Sequence, residues 1–325
     1  MQQGTTLGID VAKNVFQLHG VNDRGKVVLH KRLSRHKVLS FIAKLPACLI
    51  GMEASGGTHY WARAFTKLGH EVKRMAPQFV KPYVQGNKND YNDAAAICEA
   101  VRRPRMRFVP IKSVAHQDMQ ALHRIRERHI KMRTALVNQI RGLLSEYGIV
   151  MPKGVSQVRH KLPFILEDAD NGLSWAAREW LPSLQAELGR LDEQIQSTTG
   201  KIEQVFASDE ACQRLAQLRG IGPLTATALV AAVGDGRGFK NGRQLAAWLG
   251  LVPRQNSTGG KPTLLGISKR GNSYLRKLLV HGARSVLHNL RGKTDAWSCW
   301  LKGVEERRGK NRACVAHANK VARVA

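Results

Sequence analysis

Four carboxylates of this chain fall at structured places. Asp10 lies inside Thr5-Thr-Leu-Gly-Ile-Asp10-Val, a run that reads as a β-strand, where Asp is disfavoured. Glu53 ends the apolar run Ala47-Cys-Leu-Ile-Gly-Met-Glu53, which reads as a buried strand. Asp90 and Asp93, in Lys88-Asn-Asp90-Tyr-Asn-Asp93-Ala94, open a helical stretch, and their i,i+3 spacing puts both on one helix face. Carboxylates that converge repel one another unless something positive neutralises them. Hard divalent cations do so with oxygen ligands, Mg2+ with phosphate oxygens being the usual case, and a pair of such ions polarises a scissile phosphate. Each acid alone also has an ordinary explanation: Asp90 as a helix N-cap, Asp93 as a favourable charge at a helix N-terminus.

A second chemistry-bearing stretch is Ala247-Trp-Leu-Gly-Leu-Val-Pro-Arg254-Gln-Asn-Ser257-Thr258-Gly259-Gly260-Lys261, continuing into Ser268-Lys269-Arg270-Gly271 and Arg276. It reads as a helix followed by a Gly-rich loop that sets two hydroxyls among Arg254, Lys261, Lys269, Arg270 and Arg276. A serine attacking a phosphodiester needs cations to steady the transition state, and paired glycines give the backbone freedom to present it. Phosphate contact without nucleophilic attack explains the same residues.

The charge balance points to the same class of ligand. The 325 residues hold 52 Lys and Arg against 24 Asp and Glu, a formal net charge of +28. This excess implies a polyanionic partner, a nucleic acid or an anionic membrane. It is concentrated. Residues 101–140 carry 10 basic and 2 acidic side chains, among them Arg124, Arg126, Lys131 and Arg133, and residues 236–293 carry 12 basic and no acidic ones. A long stretch free of carboxylates suits a phosphate backbone. Aromatics are only 6% of the chain, which disfavours a base-stacking single-strand binder. The longest apolar run, about Leu224 to Val233, falls well short of the ~20 residues of a membrane span. The N-terminus lacks a basic-then-apolar signal pattern, and five scattered cysteines without a C-x-x-C fit reduced thiols in a cytosol.

The elements that must position these residues follow from periodicity. Residues 5–20 read as a strand, a turn and a returning strand, with further strands at Val27–Leu33, Ala47–Glu53 and Glu71–Met75 and a helix at Tyr60–Leu68. Strands alternating with helices predict an α/β domain over 1–108. Ser113 to Tyr147 predicts one long basic helix with Leu122, Ile125, Met132, Leu136, Ile140 and Leu143 on its apolar stripe. Leu184, Leu188, Leu191, Ile195, Ile202 and Val205 follow a 4-3-4 type of spacing, either a coiled-coil seam or ordinary helix packing within the chain, so 109–205 is expected to be a helical, coiled-coil region. Residues 206–325 are expected to be helical, with a helix-hairpin-helix-like element at Leu218-Arg-Gly-Ile-Gly-Pro-Leu224.

Taken together, Gly8-Ile-Asp10-Val-Ala-Lys13, Met52-Glu53-Ala-Ser-Gly56, Lys88 to Ala94, Arg219-Gly-Ile-Gly-Pro223, Gly250 to Lys261 and Gly266-Ile-Ser-Lys-Arg-Gly271 resemble, in order and over nearly the whole chain, the DEDD transposases of bacterial insertion sequences. The later motifs are closest to the "eleven-eleven" subgroup of the "one-ten" family. The resemblance implies a RuvC-like, ribonuclease-H-type N-terminal domain in which Asp10, Glu53, Asp90 and Asp93 hold Mg2+. It implies a coiled-coil linker, dimers pairing into a tetramer, and a C-terminal serine that forms a transient phosphoserine link to DNA. It also implies an element-encoded bridge or seek RNA that chooses donor and target DNA, in the cytoplasm of a bacterium at the nucleoid. In the family pattern the serine stands directly before the glycine. Here Thr258 holds that place and Ser257 precedes it, and Ser257 is taken as the nucleophile because a secondary hydroxyl is bulkier. The competing readings are a metal-only junction resolvase or nuclease, and a non-enzymatic nucleic-acid-annealing protein.

Overall fold

The computed structural model describes residues 5–86 and 89–325. Lys88, part of the Lys88–Ala94 motif, lies outside them. Contacts divide the described chain into two compact units. One comprises the residues up to Ser113 together with Val233–Gly238, and the other comprises Val114–Ala232 and Phe239–Ala325.

The first unit is built on a mixed sheet. Strands β1 (Thr6–Val11), β2 (Val15–Val21) and β3 (Val27–Ser34) form an antiparallel meander, followed by helix α1 (Arg35–Ile42). β4 (Leu49–Glu53) returns parallel to β1, helix α2 (Thr58–Lys67) crosses over, and β5 (Glu71–Met75) adds in parallel beside β4. The short helix α3 (Pro77–Val80) and helix α4 (Asp90–Val101) lead to β6 (Phe108–Val109), antiparallel to β5, giving the order β3-β2-β1-β4-β5-β6. Alternation along the strands sends residues to opposite faces. Leu7, Ile9, Ile50 and Met52 pack with Val38, Ile42, Trp61 and Phe65 of α1 and α2 in one core. On the opposite face Gly8 and Gly51 lie under α4. A Cβ at Gly8 would stand 2.5 Å from Cys98 N and closer still to the Ala94 carbonyl, and one at Gly51 would stand 2.8 Å from Val101 Cβ. Only glycine lets the helix backbone come this near the sheet.

The second unit is helical. Helix α5 (Val114–Ser145) runs to α6 (Val155–Glu167) and α7 (Trp175–Ser208), and α7 lies antiparallel along α5. Leu136, Ile140, Leu144, Leu181, Leu188 and Leu191 share one core, and Met119 meets Ile202 further along. The 4-3-4 stripe of α7 is therefore filled by α5 of the same chain. On α5 the buried stripe differs from the expected one: Met119, His123, Leu136, Val137, Ile140 and Leu144 are covered, while Ile125 and Met132 are exposed. Asp192 of α7 ties the bundle, accepting from Arg133 of α5 at 2.9 Å and Arg159 of α6 at 2.5 Å.

Helices α8 (Glu210–Ala216), α9 (Pro223–Val233) and α10 (Gly242–Trp248) follow. The Gly-rich segment after α10, expected as a loop, is instead a β-hairpin of β7 (Pro253–Thr258) and β8 (Lys261–Ile267). Gly259 and Gly260, with φ of 56° and 76°, make the two-residue turn in the left-handed conformation that suits the twist of hairpin strands. Helices α11 (Ser273–His288), α12 (Ala296–Arg308) and α13 (Lys310–Val324) complete the unit. No described helix is long and apolar enough to cross a membrane.

Candidate active site

The register of β1 and β4 pairs Ile9 with Met52, so Asp10 and Glu53 come next at the same level on adjacent parallel strands. Asp10 shares its face with Gly8, and Glu53 shares its face with Gly51, which is the α4 face. The direction of α4 follows from its contacts. Cys98 Sγ donates to the Thr6 carbonyl at 3.4 Å, and Ala94 lies over Gly8. Val101 lies at Gly51 of β4, Cys98 and Ala94 at Gly8 of β1, and Tyr91 beside His19 and His30 of β2 and β3, so α4 crosses the strands on the face that carries Asp10 and Glu53. Asp10 and Glu53 therefore end β1 and β4 on the face that α4 covers, and Asp90 and Asp93 stand in the first turn of that helix.

The bland explanation for Asp90 is filled by its neighbour. Asn89 is the N-cap, its side chain accepting from Asn92 N at 2.8 Å. Asp90 is exposed, Asp93 half-buried, and neither side chain has a hydrogen bond or ion pair among the described residues. Asp10 and Glu53 are half-buried and engaged in interactions of their own. Among the described residues no three Asp, Glu, His or Cys side chains stand close enough together to hold a common ion. The donor chemistry nevertheless fits a divalent cation, since all four groups are hard carboxylate oxygens on the rigid ends of strands and a helix.

Tyr91, between Asp90 and Asp93, sets its ring edge-on to His30 at 4.2 Å and His19 at 5.6 Å. This anchors the first turn of α4 over β2 and β3. Sequence reading passed over it because neither histidine has metal-ligand spacing.

The hairpin separates the two hydroxyls. Ser257 shares a ribbon face with Gln255, Pro262 and Leu264, and Gln255 Nε2 donates to Ser257 Oγ at 2.8 Å. Thr258 pairs with Lys261 beside the turn and shares the other face with Asn256 and Thr263. Lys261 therefore flanks Thr258 rather than Ser257. Arg254, Lys261, Lys269 and Arg270 are exposed, and Lys269 is held at a φ of 54°. Arg276 does not face the hydroxyls: its Nη1 donates to the carbonyls of Leu249 at 2.9 Å and Arg270 at 3.1 Å, bracing α10 against α11.

The cations predicted on α5 divide in the same way. Arg124 and Lys131 are exposed and free of partners among the described residues. Arg126 donates to Thr199 Oγ1 at 2.7 Å, and Arg133 is the Asp192 partner. A feature no spacing rule marks lies beside the hairpin base, where the Lys320 ammonium sits 4.3 and 4.1 Å from the Trp297 and Trp300 ring centres. Such packing stabilises a cation over an aromatic face.

Comparison with known proteins accords with this arrangement. A family profile described as "Transposase IS116/IS110/IS902 family" matches residues 212–296, and a transposase profile for the DEDD domain of the IS110 type matches residues 7–149. A probable family 20 transposase of Pseudomonas aeruginosa is 48% identical over 319 residues, covering 98% of this chain and 94% of that protein. The transposase for insertion sequence element IS1111A of Coxiella burnetii is 49% identical, covering 97% of this chain and 86% of its own. The transposase for IS1328 of Yersinia enterocolitica is 41% identical, covering 100% of this chain and 96% of its own. By these profiles and by identity over nearly its full length to these relatives, the chain is a member of the IS116/IS110/IS902 transposase family, DNA-processing enzymes that cleave and transfer DNA strands.

Proposed function

We propose that the protein moves an insertion sequence by RNA-guided recombination, with Asp10, Glu53, Asp90 and Asp93 holding Mg2+ and Ser257 as the attacking hydroxyl. What supports this reading is that Asp10 and Glu53 end adjacent parallel strands at one level on the face that α4 covers, while Asp90 and Asp93 open that helix. Bound there, Mg2+ supplies positive charge to a scissile phosphate. The chain's own part at the other centre is to present the Ser257 hydroxyl, beside Gln255, on an exposed ribbon whose strands also carry Arg254 and Lys261. The Ser257 Oγ–P bond forms as a strand P–O bond breaks, the released strand end leaves as a hydroxyl, and the serine proton passes to it. Attack by the hydroxyl of a second strand end reverses the exchange, rejoins DNA and restores the serine.

The unpaired cations of α5 and of the acid-free stretch 236–293 favour phosphate backbones, and the scarcity of aromatics suits a protein that leaves sequence reading to base pairing. A guide RNA and double-stranded donor and target DNA are the partners on this reading. Exposed apolar side chains at the α5–α6–α7 end, Val150, Phe164 and Trp175, support self-association through that end into dimers and tetramers.

The test is to stop the reaction with denaturant and look for protein covalently joined to DNA. An adduct that maps to Ser257 and disappears in Ser257→Ala is the expected result. Cleavage without any adduct would assign the chemistry to metal-bound hydrolysis instead.

A further inference from the structure

Beside the Tyr274 side chain, the second unit contains a cavity of about 460 Å3 between α5 and the start of α11. We propose that it takes one unpaired nucleotide of a nucleic-acid strand, held by its phosphate and by the edge of its base. This deepens the reading of α5 as a phosphate-binding helix and rests on it.

Charge is the first observation. Arg124, Arg128 and Lys131 line the cavity, and none of them has a hydrogen bond, ion pair or ring contact among the described residues. Their i,i+4,i+7 spacing puts all three on one side of α5. The one acid in the wall, Glu127, has both oxygens 2.6 Å from the Lys277 ammonium. What remains uncompensated is threefold positive, together with the N-terminal end of α11, whose first amides are capped by Asn272.

Shape and polarity are the second. The cavity is concave and of ordinary ligand size. A duplex laid across it would meet the rim cations with its phosphates and leave the interior empty. The interior offers what a base would use: the apolar Met132 side chain and the Gln120 amide, which has no partner among the described residues. A primary amide pairs with the donor and acceptor on a base edge.

The back wall is preorganised. Thr227 donates its hydroxyl to the Pro223 carbonyl at 2.7 Å, so it accepts from His123 Nε2 at 3.0 Å. His123 Nδ1 then accepts from the Tyr274 hydroxyl at 2.9 Å. The side chains of Thr227, His123 and Tyr274 are thus hydrogen-bonded to one another, which fixes the Tyr274 ring at the cavity wall and leaves Gln120 and the cations for a ligand.

The experiment uses the full-length protein in EDTA, so that no strand is cut, and two labelled RNA hairpins, one fully paired and one with a single-nucleotide bulge. The bulged hairpin is expected to bind about tenfold more tightly, the order of discrimination that accommodating one base supplies. Met132→Trp, which fills the cavity from a half-exposed position, and Gln120→Ala are expected to abolish that preference without changing affinity for the paired hairpin. Arg124→Ala with Arg128→Ala should weaken both. The same pair of hairpins in DNA identifies which strand type supplies the nucleotide. Equal affinity for bulged and paired hairpins of both kinds, or a preference that survives Met132→Trp, overturns the proposal. Should the paired hairpin fail to bind at all, the reading of α5 as a backbone grip fails. The cavity is then judged by titration with adenosine monophosphate, where saturable binding lost in Met132→Trp supports it and no binding overturns it.

Discussion

Asp10 and Glu53 end neighbouring parallel strands at one level, because Ile9 pairs with Met52 immediately before them. Two carboxylates so placed raise each other's free energy when both are ionised and no cation lies between them. Asp10→Asn and Glu53→Gln, which keep the shape of each side chain, are therefore expected to abolish DNA cleavage while leaving the metal-free protein folded. Urea unfolding in EDTA beside a cleavage assay in Mg2+ checks both halves. A variant that no longer folds in EDTA would mean the acid serves the fold.

Gly8 sets how closely α4 can approach the sheet. Gly8→Ala drives a methyl group into the backbone of Ala94 and Cys98, atoms that have no rotamer with which to yield. The loss should be about 2 kcal/mol or more, in the range of an overpacked core. Denaturant unfolding measures it. Cleavage by the folded fraction should also fall, since any outward shift of α4 moves Asp90 and Asp93 away from the strand ends.

The hairpin register makes the two hydroxyls separable by experiment. Ser257 shares its face with Gln255, and Thr258 shares its face with Lys261. With Ser257 as nucleophile, Ser257→Ala abolishes strand transfer by orders of magnitude, whereas Thr258→Val lowers it by no more than about tenfold through lost hydrogen bonding. The reverse ranking in a strand-transfer assay would place the attack on the Lys261 face.

His123 gives the second unit a pH dependence with a definite sign. Burial, reinforced by the charge of Arg126, lowers its pKa from the ordinary 6.5 to about 4, so it stays neutral between Thr227 and Tyr274. A base whose folded pKa is depressed resists the proton that the unfolded chain accepts. Its contribution is complete above pH 6.5 and declines as the pH falls toward 4. At about 1.4 kcal/mol per pKa unit, the total is on the order of 3 kcal/mol. Unfolding curves across this range should show the loss in the parent and a shallower one in His123→Asn. His19 and His317, also depressed by burial, contribute in the same direction in both proteins.

Most of the first unit was legible because its strands are short apolar runs with clear ends, and because alternation carries Asp10 and Glu53 to one face. Glu71–Met75 matches its expected span, while the two-residue β6 is too short to leave a pattern. The hairpin reads as a loop in the sequence because paired glycines mark a turn whether or not the flanking polar residues pair, and here they do. On α5 the apolar stripe named Ile125 and Met132, yet α7 covers Met119 and His123. Periodicity shows that a helix has a covered side but not how a partner of different length lies along it. Arg133 and Arg276 looked like the other cations in the sequence. Only the fold shows that Asp192 and two carbonyls hold them.

The β7–β8 hairpin is exposed on both faces along nearly its whole length, and no layer covers it among the described residues. Two strands without a packed face are at best marginally stable in water. The ribbon that carries both hydroxyls consequently has little folding energy of its own with which to hold a reactive geometry. On the proposed role of Ser257, a DNA surface pressed against the ribbon would act as the missing layer, so docking DNA and aligning the hydroxyl would become a single thermodynamic event. A poorly fitting duplex leaves the ribbon unbacked. Fidelity would then be exercised at the attacking group itself, as a failure to order, as well as at the step of binding.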